Sequence, residues 1–215
     1  MNVAAGVRLV VLSAGFSARL GSSKALSRIR GETLLRKTVR TLAPLAAARI
    51  IVVLPPRAAR ARAELRGERV EVAVSRRRSL GLSASVKSGL LRARYSSAVL
   101  ILPVDLPWLE RREIAHLIAR WRSSRRVVVA RRVGDRAGTP LVLPRRLYAK
   151  ALRIGGDLGL KNLVNGLPED ELELVEVPSA ALDVDTPEDL ERARRRLRAF
   201  DSGVRRGVCR GIREG

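Results

Sequence analysis

Val7-Arg8-Leu9-Val10-Val11-Leu12 runs directly into Ser13-Ala14-Gly15-Phe16-Ser17-Ala18-Arg19-Leu20-Gly21-Ser22-Ser23-Lys24. An apolar run around one Arg suits a strand buried on both faces, and the small polar residues after it suit a loop. The same reading repeats along the chain. Ile50–Leu54, closed by Pro55-Pro56, Ala98–Leu102 and Val127–Ala130 are further apolar runs of strand length, and Val70–Val74 is a short alternating one. Between them the apolar residues recur at helical spacing over 34–42, 83–94 and 110–122, with an Ala/Arg-rich helix expected over 57–66. Thr33 or Gly31 stands ready near the start of the first helix, and Trp121 and His116 fall on the core and surface sides of the 110–122 helix. Strands alternating with helices predict βαβ units. The expected fold is α/β with a mostly parallel sheet, its ligand beyond the carboxyl ends of the strands.

After residue 130 the pattern changes. Gly134–Gly138 reads as a turn, Thr139–Leu143 as a strand, Pro144–Arg153 as a helix, and Gly155-Gly156-Asp157-Leu158-Gly159 opens another short helix. Glu171–Val177 alternates charged and apolar residues, as an antiparallel or edge strand does. Asp183-Val184-Asp185-Thr186-Pro187-Glu188-Asp189-Leu190 sets up a last helix, with Thr186 as N-cap, Pro187 at N1 and Asp189 at N3. Residues 1–199 are expected to form a single domain, and 200–215, with four Gly and four Arg but no periodicity, a flexible basic tail.

The chain has 215 residues, 43 Lys and Arg against 21 Asp and Glu, one Cys (Cys209) and one His (His116). A disulfide, a Cys/His zinc site and a Ser-His-Asp triad therefore lack partners, and the chemistry must run on carboxylates, Lys/Arg and backbone N–H groups. No apolar run approaches the roughly 20 residues of a bilayer span, and Met1–Leu12 lacks the cleavage site of a signal peptide, so the expected location is the cytoplasm. The formal charge of +22 admits nucleic acid, a nucleotide or a phosphorylated small molecule as partner. The aromatics Phe16, Tyr95, Trp108, Trp121, Tyr148 and Phe200 are scattered singly, which argues against a base-stacking platform; Arg as the general surface residue is the plainer reading.

The loop after the first strand would let backbone N–H groups approach a polyphosphate while Arg19 and Lys24 neutralise it, although it is neither a Walker A loop nor a G-x-G-x-x-G turn. On composition alone a plain connection is the commoner reading. Asp105 is the only acidic residue between Glu71 and Glu110 and stands just past a buried strand, where a carboxylate can hold Mg²⁺ on phosphates or simply shape a turn before Pro107. Asp183 and Asp185 are two apart and, in an extended stretch, face one side. Asp185 is thus a second metal ligand or an acid at a helix N-terminus.

Taken in order, these motifs resemble the molybdenum-cofactor type of nucleoside triphosphate transferases, the MobA/MocA-like family. Leu12–Lys24 matches the signature L-A-A-G-x-S-x-R-M-G-x-x-K with two conservative changes, and Gly81-Leu82-Ser83-Ala84-Ser85-Val86-Lys87-Ser88-Gly89-Leu90 resembles the G-x-S-x-S-x-x-x-G-L run of its cytidylyl branch. The Asp105 strand end, Gly156-Asp157-x-Gly159 and Asp183-x-Asp185-Thr-Pro-Glu-Asp-Leu190 also look like family landmarks. Val104-Asp105-Leu106-Pro107 departs from G-D-Q-P, and Gly138-Thr139-Pro140 from G-H-P, at positions that face the reacting ends of the substrates in that family.

The resemblance implies a Mg²⁺-dependent nucleotidyltransferase on a Rossmann-like three-layer α/β/α fold of the nucleotide-diphospho-sugar transferase-like kind: a phosphate oxygen of the acceptor, molybdopterin in this family, attacks the α-phosphorus of CTP or GTP, and pyrophosphate leaves. It implies nucleotide binding by Leu12, Ser13, Ala14, Gly15, Arg19, Lys24, Gly81, Leu82 and Ser83, catalysis by Arg19, Lys24 and Asp105, metal binding by Asp105 and Asp185, and acceptor binding by Gly156, Asp157 and Asp183. The implied partners are the nucleotide, the phosphorylated acceptor and a molybdoenzyme. Ala14 and the Gly81–Ser85 block favour CTP, while Leu106 pulls the other way. The alternatives are a relative acting on a sugar, inositol or cobinamide phosphate, and a basic nucleic-acid-binding domain on the same fold.

Overall fold

A computed structural model of the protein describes residues 6–14, 24–76, 81–131, 139–153, 155, 159–181 and 183–195. Among them, β1 (Val7–Leu12), β4 (Ile50–Leu54), β5 (Val70–Val74), β6 (Ala98–Pro103), β7 (Val127–Arg131), β8 (Leu141–Pro144) and β9 (Leu172–Glu176) form one seven-stranded sheet in the order β5-β4-β1-β6-β8-β7-β9. The apolar runs fall where burial on both faces requires them. All five residues of β4 are buried, and β1 is hydrogen-bonded to β4 on one side and to β6 on the other, both in parallel.

Successive residues of a strand point to opposite faces. Val7, Leu9 and Val11 of β1 accordingly join a core with α1 (Leu34–Leu42) and α4 (Arg111–Ser124), while Val10 and Leu12 join a second core with α3 (Gly81–Arg92), α5 (Tyr148–Arg153) and α6 (Gly159–Asn165). The three-layer sandwich is thus present. Local chemistry fixes the helix starts: the Thr33 hydroxyl accepts from the Arg36 N–H at 3.3 Å to cap α1, and Ile114, Leu117, Ile118 and Trp121 form the buried stripe of α4, leaving His116 exposed. No helix among the described residues is long and apolar enough to cross a membrane.

The structure also corrects several expectations. The helix expected over 57–66 shrinks to α2 (Ala59–Glu64), because Arg57 follows two prolines with φ at 57°, in the left-handed region where no helix starts. The segment 144–153 divides into a 3₁₀ turn at Arg145–Leu147 and then α5. β9 lies at the sheet edge but pairs parallel to β7; its alternation reflects half exposure rather than direction. β8, antiparallel to both β6 and β7, is the only reversed strand among the described residues of the sheet. A hairpin of β2 (Arg28–Ile29) and β3 (Glu32–Thr33), turning through Arg30 and Gly31 at φ 55° and 79°, was not visible as a strand pattern. The last helix, α7 (187–195), starts as expected. The turn at 134–138 and the tail at 200–215 lie outside the described residues.

α3 comes closest to the sheet at Gly89, where an added Cβ would sit 2.6 Å from Val10 Cγ1 and 3.4 Å from Val53 Cγ2. We expect Gly89→Ala to destabilise the protein by about 1–2 kcal/mol, because overpacking costs more than the ~1 kcal/mol by which Ala exceeds Gly as a helix former. Chemical denaturation measures it, and a variant at least as stable as the parent would mean that α3 can ride outward.

Candidate active site

Parallel strands end together, and here their ladders continue past the last strand residues. Ser13 N–H donates to the Val53 carbonyl at 3.0 Å, Ser75 N–H to Leu54 at 2.9 Å and Val104 N–H to Leu12 at 3.1 Å. Ser13, Ser75, Val104 and Asp105 therefore stand along one carboxyl edge. The Asp105 carbonyl in turn accepts from the Val184 N–H at 3.0 Å, which ties the Asp183–Asp185 stretch to the same edge.

Lys24 opens a short 3₁₀ turn beyond the loop, and its Nζ donates to Asp105 Oδ2 at 3.2 Å and to Asp185 Oδ1. Residues 81 and 161 positions apart along the chain thus meet at one ammonium. Both Lys24 and Asp105 are largely withdrawn from solvent, with side-chain exposures of 21% and 18%, while Asp185 stays 45% exposed.

Burial raises the Asp105 carboxyl above its ordinary value; the charge and hydrogen bond of Lys24 pull it back down, and the charges of Asp183 and Asp185 push it further up. Burial works to lower Lys24, but its hydrogen bond to Asp185 and the charges of both carboxylates outweigh this and lift it. The ammonium stays charged.

Asp105 Oδ1 is buried and has no hydrogen-bond partner. An orphaned carboxylate oxygen beside two further carboxylates suits a hard divalent cation such as Mg²⁺, which takes oxygen ligands and keeps several waters or phosphate oxygens of its own. Among the described residues no three His, Cys, Asp or Glu form a complete metal cage, so a cation at this edge would depend on ligands from the substrate.

Of the residues expected at the site, the structure brings Lys24, Asp105 and Asp185 together, with Asp183 near enough for its charge to act on Asp105; Ser13 stands on the same carboxyl edge, and Gly81, Leu82 and Ser83 form the first turn of α3. Gly15, Arg19, Gly156 and Asp157 lie outside the described residues. Leu12 and Ala14 pack in the core beneath α3, so their side chains are not ligands. The expectation that the Ser13 N–H serves a phosphate or base is corrected: the Val53 carbonyl already takes it. What Ser13 offers is its hydroxyl, buried and unpartnered.

The Ser75 hydroxyl is in the same condition and was missed in the sequence. Its signal was topological: it follows β5 as Ser13 follows β1.

The mostly parallel seven-stranded sheet between two helical layers, which carries a half-buried lysine and unsatisfied hydroxyls along its carboxyl edge, is of the nucleotide-diphospho-sugar transferase-like class of folds. Residues 9–173 match the MobA-like NTP transferase domain, and the chain belongs to that family of nucleotidyltransferases. A phosphoenolpyruvate guanylyltransferase from Rubrobacter xylanophilus is 31% identical over 162 residues, which cover 74% of this chain and 77% of the relative. Among solved structures, Rv0371c from Mycobacterium tuberculosis H37Rv is 27% identical, covers 88% of this chain and 98% of its own, and superposes with a TM-score of 0.71. Its homologue from Mycobacterium sp. strain JC1 is 26% identical, with coverages of 91% and 98% and a TM-score of 0.76.

Because the folded state raises the pKa of Asp105, its contribution to stability is complete below the ordinary value of 3.8 and is lost as pH rises through the folded value. Above that folded value the ionised carboxylate costs stability. We expect Asp105→Asn to melt no lower than the parent at pH 7, its advantage shrinking as pH falls toward the ordinary value. A lower melting temperature at pH 7 would show that the Lys24 pair outweighs burial.

Proposed function

We propose that the protein is a Mg²⁺-dependent nucleotidyltransferase that moves CMP from CTP to the phosphate of a small acceptor, molybdopterin first among them, and releases pyrophosphate. The observation that carries this reading is the Lys24–Asp105–Asp185 cluster with its unpartnered Asp105 oxygen. A Mg²⁺ ion held by Asp105 and Asp185 would neutralise triphosphate charge.

The remaining work falls to the chain itself. Lys24 supplies a permanent positive charge to the phosphates, Arg19 a second one, and the Ser13 and Ser75 hydroxyls offer hydrogen bonds to base or ribose. No general base is needed: a phosphate monoester with a second pKa of about 6 is already mostly ionised at neutral pH, so positioning and charge neutralisation suffice. Gly156, Asp157 and Asp183 are proposed for the acceptor side.

A second reading is guanylyl transfer to an enolpyruvate phosphate, favoured by the Rubrobacter xylanophilus relative, whose name states that chemistry.

Pyrophosphate release from CTP or GTP with Mg²⁺ and candidate acceptors tests the activity. Asp105→Asn should lose well over tenfold in turnover, about 1.4 kcal/mol of barrier or more, and turnover within tenfold of the parent would reduce Asp105 to a turn residue. Lys24→Ala should lower kcat by about 10²–10³, with a smaller change in nucleotide affinity. CTP should exceed GTP by at least about tenfold in kcat/KM, since a mismatched base leaves buried groups unpaired at roughly 1–3 kcal/mol each. A GTP preference reverses the assignment to guanylyl transfer, and turnover with phosphoenolpyruvate as acceptor selects the second reading. Stabilisation by duplex DNA that vanishes with salt and ignores Mg²⁺ would overturn both in favour of a nucleic-acid binder.

A further inference from the structure

Asp189 makes more hydrogen bonds than its helix needs. At the start of α7, Thr186 Oγ1 accepts from the Asp189 N–H at 3.1 Å, and Asp189 Oδ2 accepts from the Thr186 N–H at 3.0 Å, which is the reciprocal pair of a capping box. The same Oδ2 also accepts from Thr186 Oγ1 at 2.9 Å and from the Asp185 N–H at 3.2 Å. The Asp185 amide precedes the cap and belongs to no helical turn, so satisfying it adds nothing to helix formation. It fixes the backbone of the residue whose carboxylate meets Lys24.

Upstream, the same stretch is pinned by the Val184 N–H on the Asp105 carbonyl, with the Val184 side chain 1% exposed. Residue 185 is thus held from both sides, from Asp105 before it and from Asp189 after it.

The residue type is informative too. A capping box ordinarily uses Glu or Gln at this position. Asp, one methylene shorter, brings a single oxygen within reach of three donors at once.

We infer that Asp189 is a positioning residue for the Asp185 carboxylate, orienting it toward the cation proposed to bind between Asp105 and Asp185. The inference rests on that proposed site. Asp189→Glu retains a capping-box acceptor but moves the oxygen, whereas Asp189→Asn leaves an acceptor in place.

Mn²⁺ titration of the full chain, followed by the electron paramagnetic resonance signal of free Mn²⁺, measures the effect apart from turnover. Asp189→Glu should weaken Mn²⁺ binding about 10–100-fold at a melting temperature near that of the parent, and Asp189→Asn should stay close to the parent in both. Thr33→Ala, which removes the α1 cap but no hydrogen bond of Asp105, Asp185 or Asp189, serves as control; it should lower the melting temperature without changing Mn²⁺ affinity. If Asp185→Asn weakens Mn²⁺ while Asp189→Glu and Asp189→Ala do not, Asp189 is a helix cap only. If Thr33→Ala weakens Mn²⁺ equally, general loosening explains the effect and the inference fails. If the parent binds no Mn²⁺, or Asp185→Asn leaves its affinity unchanged, the proposed cation site itself is wrong and the inference falls with it.

Discussion

Strand β1 is paired along both edges and covered on both faces, so it cannot shift without orphaning backbone groups on β4 and β6 as well as its own. Everything at the carboxyl edge inherits that constraint. The registers Leu12↔Val53 and Leu12↔Pro103 put Ser13 beside the end of β4 and Val104-Asp105 just beyond β6. A single hydrogen bond from Val184 then brings a segment from near the end of the described chain to the same place. The site is what remains when a buried parallel sheet runs out of strand.

Charge is arranged differently at this edge than elsewhere. All four acidic residues before Asp105 are engaged by arginines: Glu32 by Arg40, Glu64 by Arg28, Glu68 by Arg36 and Arg40, and Glu71 by Arg8 and Arg92. Such exposed pairs contribute little individually, and they spread the basic excess over the helices rather than gathering it into one stripe. At the carboxyl edge the balance inverts. Asp105 and Asp185 share one lysine and the charge of Asp183 also reaches Asp105, so a strongly basic protein sets three acidic groups close together here.

Sequence periodicity revealed the sheet wherever strands were buried on both faces, because an unbroken apolar run of five or six residues between turn residues is too short for a buried helix and too apolar for a surface loop. It also placed the Thr186 cap and the isolation of Asp105, both of which are local. It did not reveal the direction of β8 or β9, since pairing partners are chosen by the whole sheet and not by the strand's own pattern. The β2–β3 hairpin, two residues per strand, is too short for any period. Ser75 and the third bond of Asp189 were equally invisible, because both depend on what lies opposite in space. The proximity of Lys24 to two aspartates was implied by family resemblance but follows physically only from the fold.

The contact between Lys24 and Asp185 spans 161 positions, and the Arg194 guanidinium reaches the Arg28 carbonyl across 166. On a ribosome adding about 5–20 residues per second, roughly 8 to 32 seconds pass between synthesis of the lysine and of its second carboxylate. β1 precedes the lysine, and β4, β5, β6 and Asp105 are all translated well inside that interval. A nascent or truncated chain ending before Asp183 therefore holds all seven strands of the sheet but lacks Asp185, so the contact between Lys24 and its second carboxylate is made late in synthesis, after the framework that positions it.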